Sequence, residues 1–227
     1  MHIGVFGATG AIGGQIVLEA VERGHQVTAF TSDPARLGRD GASVRWAVAD
    51  VLDPVSIADA IGGLDVVVLA INAGRGISDT IANADVLPRA ATAMVKALET
   101  HPAVRLIVMG GAGSLEVAPG LMVVDAEGFA AGLPEALGVP VEYVNAIRAG
   151  VEALAVYRTS NRRWTYISPS AGLIRPGERT GRFRVGGDRL LVREDGSSDI
   201  SLEDLAMAAV DEAETARHVQ RRFTVGY

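Results

Sequence analysis

Ile3-Gly4-Val5-Phe6-Gly7-Ala8-Thr9-Gly10-Ala11-Ile12-Gly13-Gly14 is the stretch that decides the fold. It reads as a buried strand, a glycine turn and the first turn of a helix. Gly7, Gly10 and Gly13 recur at every third position. Glycine permits a tight turn, lets main chain approach a pyrophosphate, and lets a helix pack close to a strand. The N–H groups at the helix start then face the phosphates, and the helix dipole favours negative charge there. The context is the one this spacing requires: an apolar strand precedes it, and Ile12, Ile16, Val17, Ala20 and Val21 follow at helical spacing until Gly24. The stretch predicts a dinucleotide site that includes Gly7, Ala8, Thr9, Gly10, Ala11, Ile12 and Gly13.

Outward from it, strands and helices alternate. Gln26–Phe30, Val44–Val48, Asp65–Ala70 and Arg105–Met109 read as strands, with a short helix at Pro54–Ile61 and a long one at Ile81–Glu99. Asp33-Pro34 has the pattern of a helix cap followed by proline at the first helical position. This alternation predicts an α/β fold, a doubly wound parallel sheet with helices on both faces. Ligands on such sheets bind beyond the carboxyl ends of the strands. The loops after Phe6, Phe30, Val48, Ala70 and Met109 therefore converge on one crevice, which brings Thr31, Ser32, Gly110 and Gly111 to it.

Residues 112–140 are rich in Gly and Pro and read as an irregular flap over the crevice. A helix follows from Val141 to about Ser160, then a strand at Arg163–Ile167. Residues 169–200 read as a substrate-side insert, with a hairpin of Arg182–Val185 and Arg189–Val192 turning at Gly186-Gly187-Asp188. Ser201–Glu212 is a helix with Ser201 and Asp204 in capping-box positions, and Arg222–Val225 is a last strand. The whole, 1–227, reads as a single dinucleotide-binding domain.

Composition narrows the function classes. The chain has 227 residues, of which 48% are hydrophobic, and a net charge of −6. That balance disfavours nucleic acid, which is bound by neutralising phosphates with Lys and Arg. There is no cysteine, so thiolate catalysis and Cys-based metal sites are excluded. His2, His25, His101 and His218 are scattered along the chain and suggest no metal site. No charged leader precedes the first strand, and no apolar run reaches membrane-spanning length, so a cytoplasmic protein is expected.

Within the crevice, Asp50 follows the third strand. Its carboxylate is placed to accept from an adenine amino group, with Val51 against the ring, or else to cap a loop. Nothing acidic occupies Phe30, Thr31 or Ser32, which leaves room for a 2′-phosphate with Ser32 and Arg36 as partners. The expected cofactor is NADP(H), with NAD the alternative; Arg36 reads equally well as a solvated helix residue.

With those residues in place, the chain resembles the atypical short-chain dehydrogenase/reductases, in particular the NADH-flavin-reductase-like, biliverdin-IX-beta-reductase-like and NmrA-like proteins. The resemblance rests on Gly7–Gly13, Asp33-Pro34, Asp50–Asp53, Val108–Ser114, Trp164–Pro169 and Ile200–Ala206, in that order along nearly the whole chain. It implies that Ala70, Ile71 and Asn72 lie near the ribose and nicotinamide, and that Pro169, Ser170 and Ala171 border the nicotinamide. Many members carry Arg where this chain has Ser32, which weighs against NADP.

Many short-chain dehydrogenases use Tyr-x-x-x-Lys as proton donor and ribose clamp. The single lysine here is Lys96, and Thr92 stands four residues before it. Arg148 lies five residues after Tyr143, at a different spacing, and arginine does not act as a base. Gly110-Gly111 stand where the usual hydroxyl would follow the fifth strand; Ser114 is nearby and reads more readily as a loop residue. Tyr143 reads as a proton donor, a stacking group, or a half-buried helix aromatic. Hydride transfer to an electron-poor conjugated ring asks least of such a protein. The expected activity is an NAD(P)H-dependent reductase of a small-molecule acceptor, a flavin, quinone or tetrapyrrole-like ring. The alternatives are a non-catalytic NmrA-like dinucleotide sensor and a specialised biosynthetic reductase or isomerase. The helix at 81–99 suits either a dimer face or the sheet, so both monomer and homodimer stay open.

Overall fold

Side chains alternate across each strand, and this sorts the apolar residues into two cores. A computed structural model describes residues 1–227. Strands β1 (His2–Phe6), β2 (Gln26–Thr31), β3 (Val44–Val48), β4 (Val66–Leu69) and β5 (Arg105–Met109) run parallel. Between them lie α1 (Ala11–Glu22), α2 (Pro54–Ile61), α3 (Ile77–Ala82) and α4 (Val86–Ala97). The rest of the chain forms β6 (Glu116–Ala118), β7 (Leu121–Met122), α5 (Phe129–Leu137), α6 (Val144–Arg158), β8 (Trp164–Pro169), β9 (Arg184–Gly186), α7 (Leu202–Glu214) and β10 (Arg221–Gly226).

Eight strands make one sheet in the order β3-β2-β1-β4-β5-β8-β10-β9, and only β9 runs antiparallel to its neighbour. In β4, Val66 and Val68 join the core under α1 and α7, with Ile16 and Leu205. Val67 and Leu69 join the opposite core under α2, α4 and α6, with Ile57, Met94 and Leu154. A strand covered on both faces needs apolar residues at both parities, which is why β4 reads as an unbroken run. The expected doubly wound sheet is thus the observed one. Its strand order reverses between β1 and β4, and the glycine turn lies at that switch point.

Three local expectations are corrected. The helix at 81–99 is two helices, α3 and α4. Pro88 has no N–H, and its ring collides with the carbonyl four residues back, so it is tolerated only within the first turn of a new helix. The Asn83 side chain meanwhile closes α3 by donating to the Asp79 carbonyl at 2.8 Å. Residues 112–140 are ordered structure: the β6–β7 hairpin turns at Gly120 (φ 74°), and α5 runs between the left-handed glycines Gly128 and Gly138. Its internal Gly132 and Pro134 concealed that helix. The hairpin at 182–192 does not form. β9 pairs with β10 instead, and Leu190 donates to the Glu116 carbonyl at 3.0 Å. The capping box at α7 is half made: Ser201 Oγ accepts from the Asp204 N–H at 3.0 Å, while the Asp204 carboxylate turns to Thr180, Gly181 and Tyr227.

Candidate functional site

The three glycines of the first turn separate by what a side chain would meet. At Gly7, with φ 81°, a Cβ would lie 2.2 Å from the Ala70 carbonyl oxygen. At Gly13 it would lie 2.2 Å from the Gly7 carbonyl oxygen, so α1 sits directly on the turn. At Gly10 the nearest atom is Gly7 O at 3.3 Å, and the residue faces outward. Gly10 is the N-cap of α1, no side chain caps that helix, and no acid occupies its first turn. The N–H groups of the first turn have no intrahelical partners. They open onto a crevice of about 1000 Å³ lined by Gly7, Thr9, Gly10, Ala11 and Ile12. Ala8 and Gly13 stand behind this wall: Ala8 is buried in the core and Gly13 packs on the turn.

The ends of β2 and β3 form one end of the crevice. Thr31 Oγ1 accepts from the Asp33 N–H at 3.2 Å, and Ser32 lines the opening beside them. Asp33 caps a single 3-10 turn, Pro34–Arg36, through Ala35 N–H at 3.0 Å. Its other oxygen accepts from Arg75 at 2.6 Å, a bond that holds the Asp33 carboxyl below the usual range. Arg36 reaches the glycine turn and donates to the Thr9 carbonyl at 3.0 Å. Asp50 accepts from Leu52 N–H at 2.9 Å and is exposed on the rim, with Val51 beside it. Arg75 was not expected here. The only hint in the sequence is its place in a glycine-flanked loop after β4.

Ala70, Ile71 and Asn72 line the middle of the crevice. The Asn72 amide is spent on its own loop, bonding Thr80 Oγ1 at 3.1 Å and Ala73 N–H at 2.9 Å. Further on come Gly110, Gly111, Pro169, Ser170 and Ala171. Gly110 is glycine because the Tyr166 ring lies over it: a Cβ would be 1.9 Å from that ring. Tyr166 is a site residue that the sequence reading missed. Its hydroxyl donates to the Gly150 carbonyl at 3.2 Å, and burial pushes its pKa up to about 12. Ser170 Oγ is buried with no hydrogen-bond partner.

Both candidate catalytic hydroxyls reach this crevice. Ser114 lies in a 3-10 turn, and its Oγ accepts from Arg222 at 3.4 Å. Arg222 is itself held by Asp188, through Nε at 2.8 Å. Tyr143 is half-buried just before α6, and burial raises its pKa above that of a free tyrosine. Arg148 is occupied with Asp125 at 3.0 Å. Lys96 pairs with Glu99 on the exposed end of α4 and does not line the crevice.

These residues fit a nicotinamide dinucleotide. A helix start that is uncapped, acid-free and approachable at a bare Gly10 is a place for a diphosphate. The unpartnered Ser170 hydroxyl lies in the wall farther along the crevice.

Fold and site together define a Rossmann-type dinucleotide-binding protein. The chain belongs to the NAD(P)H-binding family, whose profile matches residues 7–216. It is 33% identical to the uncharacterized protein YwnB of Bacillus subtilis (strain 168), over 99% of this chain and 98% of that one. Among solved structures it is similar to a Burkholderia pseudomallei protein provisionally named as exported, at 41% identity and TM-score 0.82 over 100% of both chains. It is also similar to a protein of Streptococcus pneumoniae TIGR4 provisionally named an NADH-flavin reductase, at 27% identity and TM-score 0.79, covering 100% of this chain and 99% of that one. No helix is long and apolar enough to cross a membrane.

Proposed function

We propose that this protein is a cytoplasmic NAD(P)H-dependent oxidoreductase that reduces a conjugated small molecule, and that NADPH is its preferred donor. The observation that carries the reading is the crevice itself. An anion-accepting helix start stands on one wall, and an apolar chamber whose hydroxyls include Tyr143 and Ser114 lies farther along. The flavin-reductase name of the Streptococcus relative points the same way. The dinucleotide, when bound, supplies the hydride. The chain supplies position and a proton. Gly7–Ile12 hold the diphosphate through main-chain N–H groups. Ser32, Arg36 and Arg75 surround the ribose end; Arg75 is paired with Asp33, whereas Arg36 bonds only the Thr9 carbonyl and has no carboxylate partner, which leaves its charge for a 2′-phosphate. Ser114, steadied by Arg222, has its own O–H free to orient an acceptor carbonyl. Tyr143, whose hydroxyl lines the chamber, is the proton donor. No Tyr-x-x-x-Lys dyad takes part, because the lone lysine lies elsewhere.

The test is oxidation of NADPH and NADH with flavins and quinones as acceptors. Tyr143→Phe should lower kcat by roughly 100-fold or more and leave dinucleotide affinity unchanged. Tight dinucleotide binding with no turnover of any acceptor would instead favour a sensor.

A further inference from the structure

The crevice segregates its charge, and that segregation bears on what can enter beside the dinucleotide. Its only ionisable lining groups of the Asp, Glu, Lys, Arg or His kind are Asp33, Arg36, Asp50 and Arg75. All four stand past β2, β3 and β4, at the end where the sheet order runs β3-β2-β1-β4. Past β5 and β8 the lining carries none. There the walls are Val123, Phe129, Leu137, Val139, Ile147 and Val151, with hydroxyl-bearing Ser114, Tyr143, Tyr157, Tyr166 and Ser170 among them. Arginines behind that wall are already paired, Arg222 and Arg158 with Asp188 and Arg148 with Asp125.

We propose that the acceptor is an uncharged planar ring, and that acceptors carrying a phosphate are selected against. The proposal rests on the reductase reading and narrows its substrate class. An apolar wall contributes by removing a ring from water, whereas an ionised phosphate entering the same space loses hydration and meets no unpaired cation. Hydroxyl groups suffice for the carbonyl and imino edges of a neutral quinone or isoalloxazine ring, which accept hydrogen bonds without bearing charge. The same chamber would admit the ring of a flavin nucleotide only by drawing its phosphate in or by leaving the ring part-way out.

Riboflavin and FMN isolate the point, because they share one ring and differ by a terminal phosphate. With NADPH as donor, kcat/KM for riboflavin should exceed that for FMN by about tenfold or more. A quinone without ionised groups should also be reduced. Equal or better use of FMN would overturn the proposal while leaving the reductase reading intact. Binding decides the matter independently of turnover: quenching of the ring's fluorescence by the protein loaded with NADP⁺ should give a Kd for riboflavin at least tenfold below that for FMN. If neither a flavin nor a quinone is turned over, the reductase reading fails, and this ratio still tests the chamber. Equal Kd values, or no binding of either ring, would overturn the proposal. Leu137→Arg, at a half-buried position on the wall, should narrow the gap by raising FMN binding; an unchanged ratio in a folded variant would count against it.

Discussion

Gly7, Gly10 and Gly13 share a side chain, or the lack of one, and each is needed for a different reason. Gly7 carries a left-handed φ and presses on Ala70, Gly13 presses on Gly7, and Gly10 is the least crowded of the three, a Cβ there lying 3.3 Å from the Gly7 carbonyl oxygen. Substitution should separate these roles. Gly10→Val should leave the melting temperature within a few degrees of wild type, yet weaken dinucleotide binding by about 100-fold or more in titration calorimetry, because the methyl groups occupy the diphosphate's approach. Gly13→Val should do the reverse in origin. It drives a side chain into backbone and should cost about 2–4 kcal/mol of stability by denaturant unfolding, whatever ligand is present. Wild-type affinity in Gly10→Val would remove the site. At this scale the sequence was most legible, since glycine spacing states a backbone requirement directly. It was silent on Tyr166, because the reason for Gly110 is a ring on a neighbouring strand about 56 residues away.

Elements are tied together by two charge networks, one buried and one in which exposed Arg179 reaches a buried Glu19. Arg105 on β5 and Glu212 on α7 pair at 2.8 Å, both almost wholly buried, and Glu212 also accepts from His218 at 2.8 Å. Removing one partner leaves the other charge buried and alone. Glu212→Ala should therefore cost about 3–5 kcal/mol in denaturant unfolding, while crevice binding by the folded fraction is unchanged. The second network fastens the 169–200 insert to the dinucleotide helix: Arg179 grips Glu19 with two bonds of 2.8 and 2.7 Å, and Arg23 joins from α1. The hydrogen bonds from Arg179, assisted by Arg23, hold the Glu19 carboxyl below its ordinary range against the opposing effect of burial. A carboxylate depressed in the folded chain stabilises it above the unfolded pKa, and that stability is lost as pH falls through the folded value. Asp204 behaves likewise: burial works to raise it, but bonds from Thr180, Tyr227 and the Gly181 N–H prevail. Urea midpoints should thus decline as pH drops below the ordinary carboxylate range, and Arg179→Ala should flatten that decline. An unaltered acid limb would show that the clip contributes nothing. Neither network was visible in sequence, for its members stand up to 160 positions apart. Helix limits were legible where a cap or proline marked them, as at Asp53-Pro54, and were misread at 81–99, where apolar content bridged the break before Pro88.

The whole molecule places one uncapped helix start and one apolar chamber in a single crevice. Ligand that binds only the folded state raises its stability, by about 2.7 kcal/mol at 100 times Kd. NADPH at a fixed concentration should therefore raise the melting temperature more than NADH does, and Arg36→Ala should erase most of the difference. Equal shifts from the two nucleotides in wild type would argue against a 2′-phosphate role for Arg36. The sequence by itself determined the parallel sheet, the dinucleotide turn and the set of loops that meet above it. Those follow from periodicity and glycine spacing, which act within a few residues and leave their mark in order along the chain. Only the tertiary structure decided that β9 joins β10, that Arg75 closes on Asp33, and that every Asp and Arg in the lining falls at one end of the crevice. These are meetings between segments distant in sequence, set by how the two cores pack against the sheet, and no local pattern carries them.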